Sequence, residues 1–251
     1  MTKKITESSP VESKKKLDGH VALVTGGSRG IGKAIALKLG GLGAAVALCG
    51  RDEGRLQATA DEIKRISPRV LAMKADVTKA EEISALVQAT EEKLGAITIL
   101  VNNAGIGNPG FGAIQDKSES DWDMVLDSNL KSVFLVSRAV VPLMIGRHRG
   151  DIINISSLAG KNTFAGGGLY CASKWGLQGL SGCMAEDLRG HGIRVSVISP
   201  GSVATEFSGR GPKDASKVLT AEDVAHAVAM LALQGPQSFI SAVDLRPLFR
   251  A

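Results

Sequence analysis

The chain has 251 residues, 44% of them apolar and 22% charged, which is ordinary globular composition with length for one sizeable core. The net charge is +5, but Lys3, Lys4, Lys14, Lys15 and Lys16 against Glu7 and Glu12 put +3 of it in residues 1–16, so the body is near balance and a nucleic-acid surface is not indicated. Cys49, Cys171 and Cys183 have no ligand-like spacing and the histidines are scattered, so no metal site is expected. Residues 1–16 read as a disordered basic tail without an apolar signal region, and residues 17–251 as one domain. With no run expected to span a membrane, the reading is a cytoplasmic protein with free thiols.

In chain order, His20–Thr25 is an apolar strand. It runs into Gly26-Gly27-Ser28-Arg29-Gly30-Ile31-Gly32, and a helix follows with Ile31, Ala34, Ile35, Lys38 and Leu39 on one stripe. Strand, glycine-rich turn and helix in that order suit a pyrophosphate. Glycines let the backbone approach it, and the helix start offers unpaired N–H groups and a positive dipole end. The plainer reading is a tight turn that needs positive φ. Four glycines in seven residues favour the phosphate.

Ala45–Cys49 is the second strand. Folds that take NAD place an acid just after it for the ribose 2′-hydroxyl. Gly50 and Arg51 stand there instead, and Arg29 lies in the glycine turn. Two cations in these places suit a 2′-phosphate, hence NADP rather than NAD. Asp52 argues the other way, since it is near enough in sequence to reach the ribose.

A helix over 52–66, a strand over Val70–Ala75 closed by Asp76-Val77, a helix over 79–94 and a strand over Ile97–Val101 come next. That fourth strand ends in Asn102-Asn103-Ala104-Gly105, small residues and amides suited to a crevice at strand ends. The pattern over 121–145 predicts one long helix with Trp122, Val125, Leu126 and Val133 inward. Asn129 falls on the same stripe, where it must either tie core segments together or open the helix around a water.

Ile152, Ile153 and Ile155 mark a fifth strand, ending in Ser156-Ser157. Tyr170 and Lys174 then lie one turn apart on a helix over 169–188. A phenol is a poor acid near neutral pH, and an adjacent ammonium favours the phenolate. Ile193–Ile198 is the sixth strand, followed by Ser199-Pro200-Gly201. Residues 202–219 read as a mobile loop, 221–233 as a helix and Phe239–Leu245 as a seventh strand. Strand and helix alternate throughout, so right-handed crossovers give one Rossmann-like, doubly wound parallel α/β sheet with helices on both faces.

Taken together, TGGSRGIG at Thr25–Gly32, Asp76-Val77, NNAG at Asn102–Gly105, Asn129, the serine pair, YCASK at Tyr170–Lys174 and Pro200-Gly201 with Thr205 make the chain resemble a short-chain dehydrogenase/reductase of the single-domain branch. The resemblance implies a catalytic serine thirteen residues before the tyrosine, which selects Ser157 over Ser156. It implies that Tyr170 exchanges a proton with a carbonyl oxygen, that Lys174 lowers its pKa, that Ser157 fixes the substrate oxygen and that Asn129 holds a relay water. It places Gly26, Ser28, Arg29, Gly30, Ile31, Gly32, Arg51, Asp76, Val77, Asn103, Ala104, Gly105, Pro200, Gly201, Val203 and Thr205, with Tyr170 and Lys174, around NADP(H). Motif wording is similar to the 3-oxoacyl-acyl-carrier-protein reductases, except at the C-terminus, where SAVDLRPLFRA departs. Another small alcohol, hydroxy acid or sugar therefore stays open as substrate. So does a cofactor-binding sensor or scaffold without turnover, although all four catalytic positions are filled. The resemblance also implies a homo-oligomer, tetramer or dimer, formed through helices 121–145 and 169–189.

Overall fold

The computed structural model describes residues 15–67, 69–107, 109, 112–208 and 217–249. Most of the basic tail therefore lies outside the described residues, as does 209–216 of the loop expected over 202–219. The chain is anchored from Leu17, which is buried and bonds its amide to Leu42.

Seven strands form the sheet: β1 (Val21–Thr25), β2 (Ala45–Gly50), β3 (Val70–Lys74), β4 (Ile99–Asn102), β5 (Gly150–Ile155), β6 (Ile193–Pro200) and β7 (Ala242–Leu245). Their order is β3-β2-β1-β4-β5-β6-β7, and every pairing is parallel. Strand order reverses between β1 and β4, and such a switch point opens a crevice at the strands' carboxyl ends. The helices are α1 (Gly30–Gly41), α2 (Glu53–Lys64), α3 (Ala80–Leu94), α4 (Glu119–Leu126), α5 (Ser132–Ile145), α6 (Gly168–Arg189) and α7 (Ala221–Ala232).

Alternation along the strands divides the core in two. Val24, Leu48, Val101 and Ile153 face α1, α2 and α7. Leu23, Ala47, Leu100 and Ile152 face α3, α5 and α6. On the second face Ile83, Leu86, Val87 and Leu94 of α3 are all buried. Asn102 and Asn154 pair there too, and their amides reach Ser137 on α5 and Ser181 on α6. This apolar layer thus carries a buried polar chain just below the crevice.

The long helix departs from its expectation. Ser118 and Asp121 form a capping box at its start, and Asp127–Lys131 is a π turn between α4 and α5. Trp122 is exposed, not inward, whereas Val125 and Val133 are buried as expected. Contrary to the expectation of no such run, Glu119–Ile145 is apolar enough to cross a membrane by length and composition. Val136, Val140 and Met144 nonetheless sit in the protein's own core. In α1, Lys38 is exposed and leaves the apolar stripe. The last strand starts later than expected, at Ala242, so Phe239–Ser241 precede it.

Candidate active site

β1 feeds the glycine turn, where Gly26 has φ 66° and Gly30 φ 53°, a region that glycine enters without strain. Asn103 holds this turn shut. Its amide donates to the Thr25 carbonyl at 2.9 Å and to the Gly26 carbonyl at 3.2 Å. The Thr25 hydroxyl accepts the N–H groups of Asn103 and Ala104, each at 3.0 Å. Asn103 is thus a clasp between β4 and the turn as well as a crevice residue. On the other side, Thr59 of α2 donates to the Ser28 carbonyl. Helix α1 starts at Arg29–Gly30 with no side-chain cap and no acid in its first turn. Its first N–H groups and dipole face the crevice, which fits the pyrophosphate of a dinucleotide.

The β2 end carries the charges that would meet an adenosine. Asp52 caps α2, accepting the Arg55 N–H at 3.0 Å, and pairs with the Arg55 guanidinium at 3.3 Å. The acid that argued for a ribose contact is therefore engaged in its own helix. Arg51 is exposed and lies near Asp76. Burial pushes the Asp76 carboxyl up, but hydrogen bonds from Thr78 and the charges of Arg51 and Lys79 outweigh it and hold the group below its usual range. Val77, partly buried, packs behind it on the α3 side. The guanidinium that joins Arg29 is that of Arg55, which the sequence reading passed over: both donate to Oε2 of Glu206, at 2.8 and 2.9 Å.

The reacting groups gather at the ends of β5 and β6 and the start of α6. The serines point apart, as strand alternation requires. The Ser157 hydroxyl accepts the Ala159 N–H at 3.1 Å and lies near enough to the Tyr170 phenol to favour its ionised form. Ser156 turns under α6 toward the Lys174 carbonyl and accepts from Gln178 at 3.1 Å. The geometry thus brings Ser157, and not Ser156, to the tyrosine. Lys174 is buried, its ammonium 5.9 Å from the Tyr170 ring centroid and donating to the Ile155 carbonyl at 3.0 Å. Burial lowers the Lys174 pKa to about 8.

The Tyr170 hydroxyl does not follow the expectation of a lowered pKa. Burial pushes it up, and the neighbouring Ser157 hydroxyl only partly opposes this. The Lys174 ammonium, held at the Ile155 carbonyl, is not among the groups that lower it.

Asn129 is fully buried in the π turn. Its side chain accepts the Ile106 N–H at 2.7 Å, and donates to the Ile106 carbonyl at 3.0 Å and to the Ser173 hydroxyl at 3.1 Å. Of the two expected uses, tying core segments together is the one these bonds display; the helix opens as well. A Cβ on Gly105 would lie 2.9 Å from Asn129 Oδ1 and 3.9 Å from Lys174 Nζ, so glycine keeps the space between them clear.

Pro200-Gly201 close β6, and the Gly201 N–H bonds to Leu245 at 2.8 Å. Val203 bridges to Leu219, which pins the ends of the loop. Thr205 lies against Gly30, and the Phe207 ring stands 6.3 Å from that of Tyr170. Residues 203–208 thus run over the crevice from the glycine turn to the tyrosine. Gln178 also escaped the sequence reading. Its amide donates to Ser156 and, at 2.9 Å, to Ser199, so it docks both strand ends on α6. The available signal was its spacing, one turn beyond Lys174 on the face of Tyr170.

Comparison with known proteins agrees with this geometry. The family model for short chain dehydrogenases matches residues 20–215. An uncharacterized oxidoreductase of Staphylococcus saprophyticus is 39% identical over 92% of this chain and 99% of its own. The 3-oxoacyl-[acyl-carrier-protein] reductase of Thermotoga maritima is 36% identical over 80% of each chain. A metagenomic short-chain oxidoreductase solved in complex with NADP superposes with a TM-score of 0.83 at 43% identity, covering 94% of this chain and all of the other. With its switch-point crevice, glycine turn and serine–tyrosine–lysine group, the chain belongs to the short-chain dehydrogenase/reductase family of oxidoreductases.

Proposed function

We propose that the protein interconverts a carbonyl compound and its secondary alcohol with NADP(H) as cofactor. The observation that carries this reading is the Ser157–Tyr170–Lys174 group beside an uncapped α1 start. A dinucleotide bound in the crevice supplies the hydride. Tyr170 donates the proton to the substrate oxygen, or takes it in the reverse direction. Ser157 positions that oxygen beside the phenol, and Lys174 places positive charge near it. A sensor without turnover has no need of all these groups together. Two arginines converging on one oxygen, with Asp52 spent on its helix, favour the phosphorylated cofactor.

For the substrate, the relative from Thermotoga maritima supports a 3-oxoacyl thioester. A specific observation favours a second reading, a compact ketone. Beside the start of α6 lies a cavity of about 210 Å³ lined by Ala113, Ile114, Lys117, Phe164 and Leu169 among others. Ile114 and Phe164 expose apolar surface there. Fluorescence titration with NADPH and NADH, followed by turnover on ketones and 3-oxoacyl thioesters, tests both parts. Tighter NADPH binding and carbonyl-dependent oxidation of NADPH are expected. Saturable binding without turnover of any carbonyl would make the protein a sensor.

We further read the protein as a cytoplasmic homo-oligomer joined through α4, α5 and α6. Trp122, Met124, Phe134 and Trp175 on these helices are each about half exposed, apolar area that a second copy would cover. Sedimentation at micromolar concentration is expected to show a dimer or tetramer, and a monomer would overturn this.

A further inference from the structure

Two guanidiniums repel, and they converge on a point only when an anion holds them there. Arg29 comes from the glycine turn and Arg55 from α2, yet both donate to the same Oε2 of Glu206. Glu206 comes from the far end of the chain, on the short 3-10 turn after Thr205. Thr205 is in turn seated against Gly30, so this carboxylate is brought to the mouth of the crevice by the backbone that crosses it. It accepts from both arginines through one oxygen, as an oxygen of a phosphate group would. Arg55 is braced from behind by Asp52, whose carboxylate meets its Nε at 3.3 Å.

We infer that Glu206 is a resident competitor for the cofactor's 2′-phosphate: its carboxylate fills the anion point made by Arg29 and Arg55 and must give way when a phosphorylated dinucleotide binds. The inference rests on the NADP reading above. It adds Arg55 to the phosphate-binding residues and gives Glu206 the role of setting how strongly the phosphorylated cofactor is preferred. Because the contact is half exposed, its effect is modest and screened by salt.

The test is equilibrium binding, read without turnover. NADPH and NADH are titrated by fluorescence, and 2′,5′-ADP and 5′-AMP by calorimetry, into the wild-type protein, Glu206→Gln and Arg55→Gln. Glu206→Gln is expected to tighten NADPH and 2′,5′-ADP about five-fold, the scale of an exposed ion pair. NADH and 5′-AMP, lacking the phosphate, stay within about two-fold on the same scale. Arg55→Gln weakens NADPH and 2′,5′-ADP about five-fold and spares the other two. If the wild-type protein prefers NADPH but Glu206→Gln leaves it unchanged or weaker, the cofactor reading stands and the competition is overturned. If neither the wild-type protein nor Glu206→Gln prefers the phosphorylated ligands, the cofactor reading has failed, and this inference falls with it. A wild type without preference that gains one on Glu206→Gln supports the competition.

Discussion

Tyr170→Phe is expected to lower kcat for carbonyl reduction about a thousand-fold, a barrier increase of ~4 kcal/mol, because a positioned acid of this kind supplies rate factors of that order. Phenylalanine keeps the ring, so its contact with Phe207 and the start of α6 persist. Dinucleotide affinity and thermal midpoint are expected to change little. What is lost is the hydroxyl beside Ser157, the proton donor of the proposed reaction. Tyr170 is the single tyrosine of the chain, so tyrosinate absorbance reports its ionisation without ambiguity. Burial keeps the phenol protonated, and in the cofactor-free protein the absorbance is expected to rise only above the usual phenol range. An undiminished kcat in the phenylalanine variant would remove Tyr170 from the chemistry.

Gly32→Ala has the largest expected effect on cofactor binding. The new Cβ would lie 2.1 Å from the Gly26 carbonyl oxygen and 2.5 Å from Asn103 Nδ2. Neither can retreat easily: one is backbone, and the other donates to Thr25 and Gly26. The turn must open and the clasp must break. The expected cost is about 3 kcal/mol of stability, or roughly 6–12 °C in Tm for a chain of this size. NADPH titration should no longer saturate at micromolar concentration. Gly179→Ala in α6 is the control, since nothing lies within 4 Å of its Cβ and alanine suits a helix interior. Unchanged NADPH affinity in Gly32→Ala would show that the turn does not hold the cofactor.

Much of this was legible because it is local. Each crossover of strand, helix and strand lies within a short stretch, and the glycine turn, the Tyr170–Lys174 spacing and the strand-end serines are written in neighbouring residues. The sheet's order then follows from chain direction and handedness. What escaped depends on distant segments. Arg29 and Arg51 were legible as cations, but the meeting of Arg29 with Arg55 is arranged by Glu206, 151 residues beyond Arg55. Asn103 reads as a crevice residue, yet its amide spans two strands. The direction of the Tyr170 shift was missed because proximity of charge is visible in a heptad of sequence and burial is not. Trp122 was placed inward because one 3.6-residue pattern was drawn through a helix whose pitch changes at Asp127–Lys131.

That change of pitch has a consequence of its own. A π turn accommodates a residue beyond what a regular helix would hold, and the surplus lets the side chain of Asn129 leave the neat spiral and reach the loop after β4. Trimming one residue there would let the spiral close up smoothly with both flanks in register, and would take the Asn129 side chain away from the Ile106 backbone. The irregularity is thus what lets one side chain of this helix serve the loop at the strand ends opposite it.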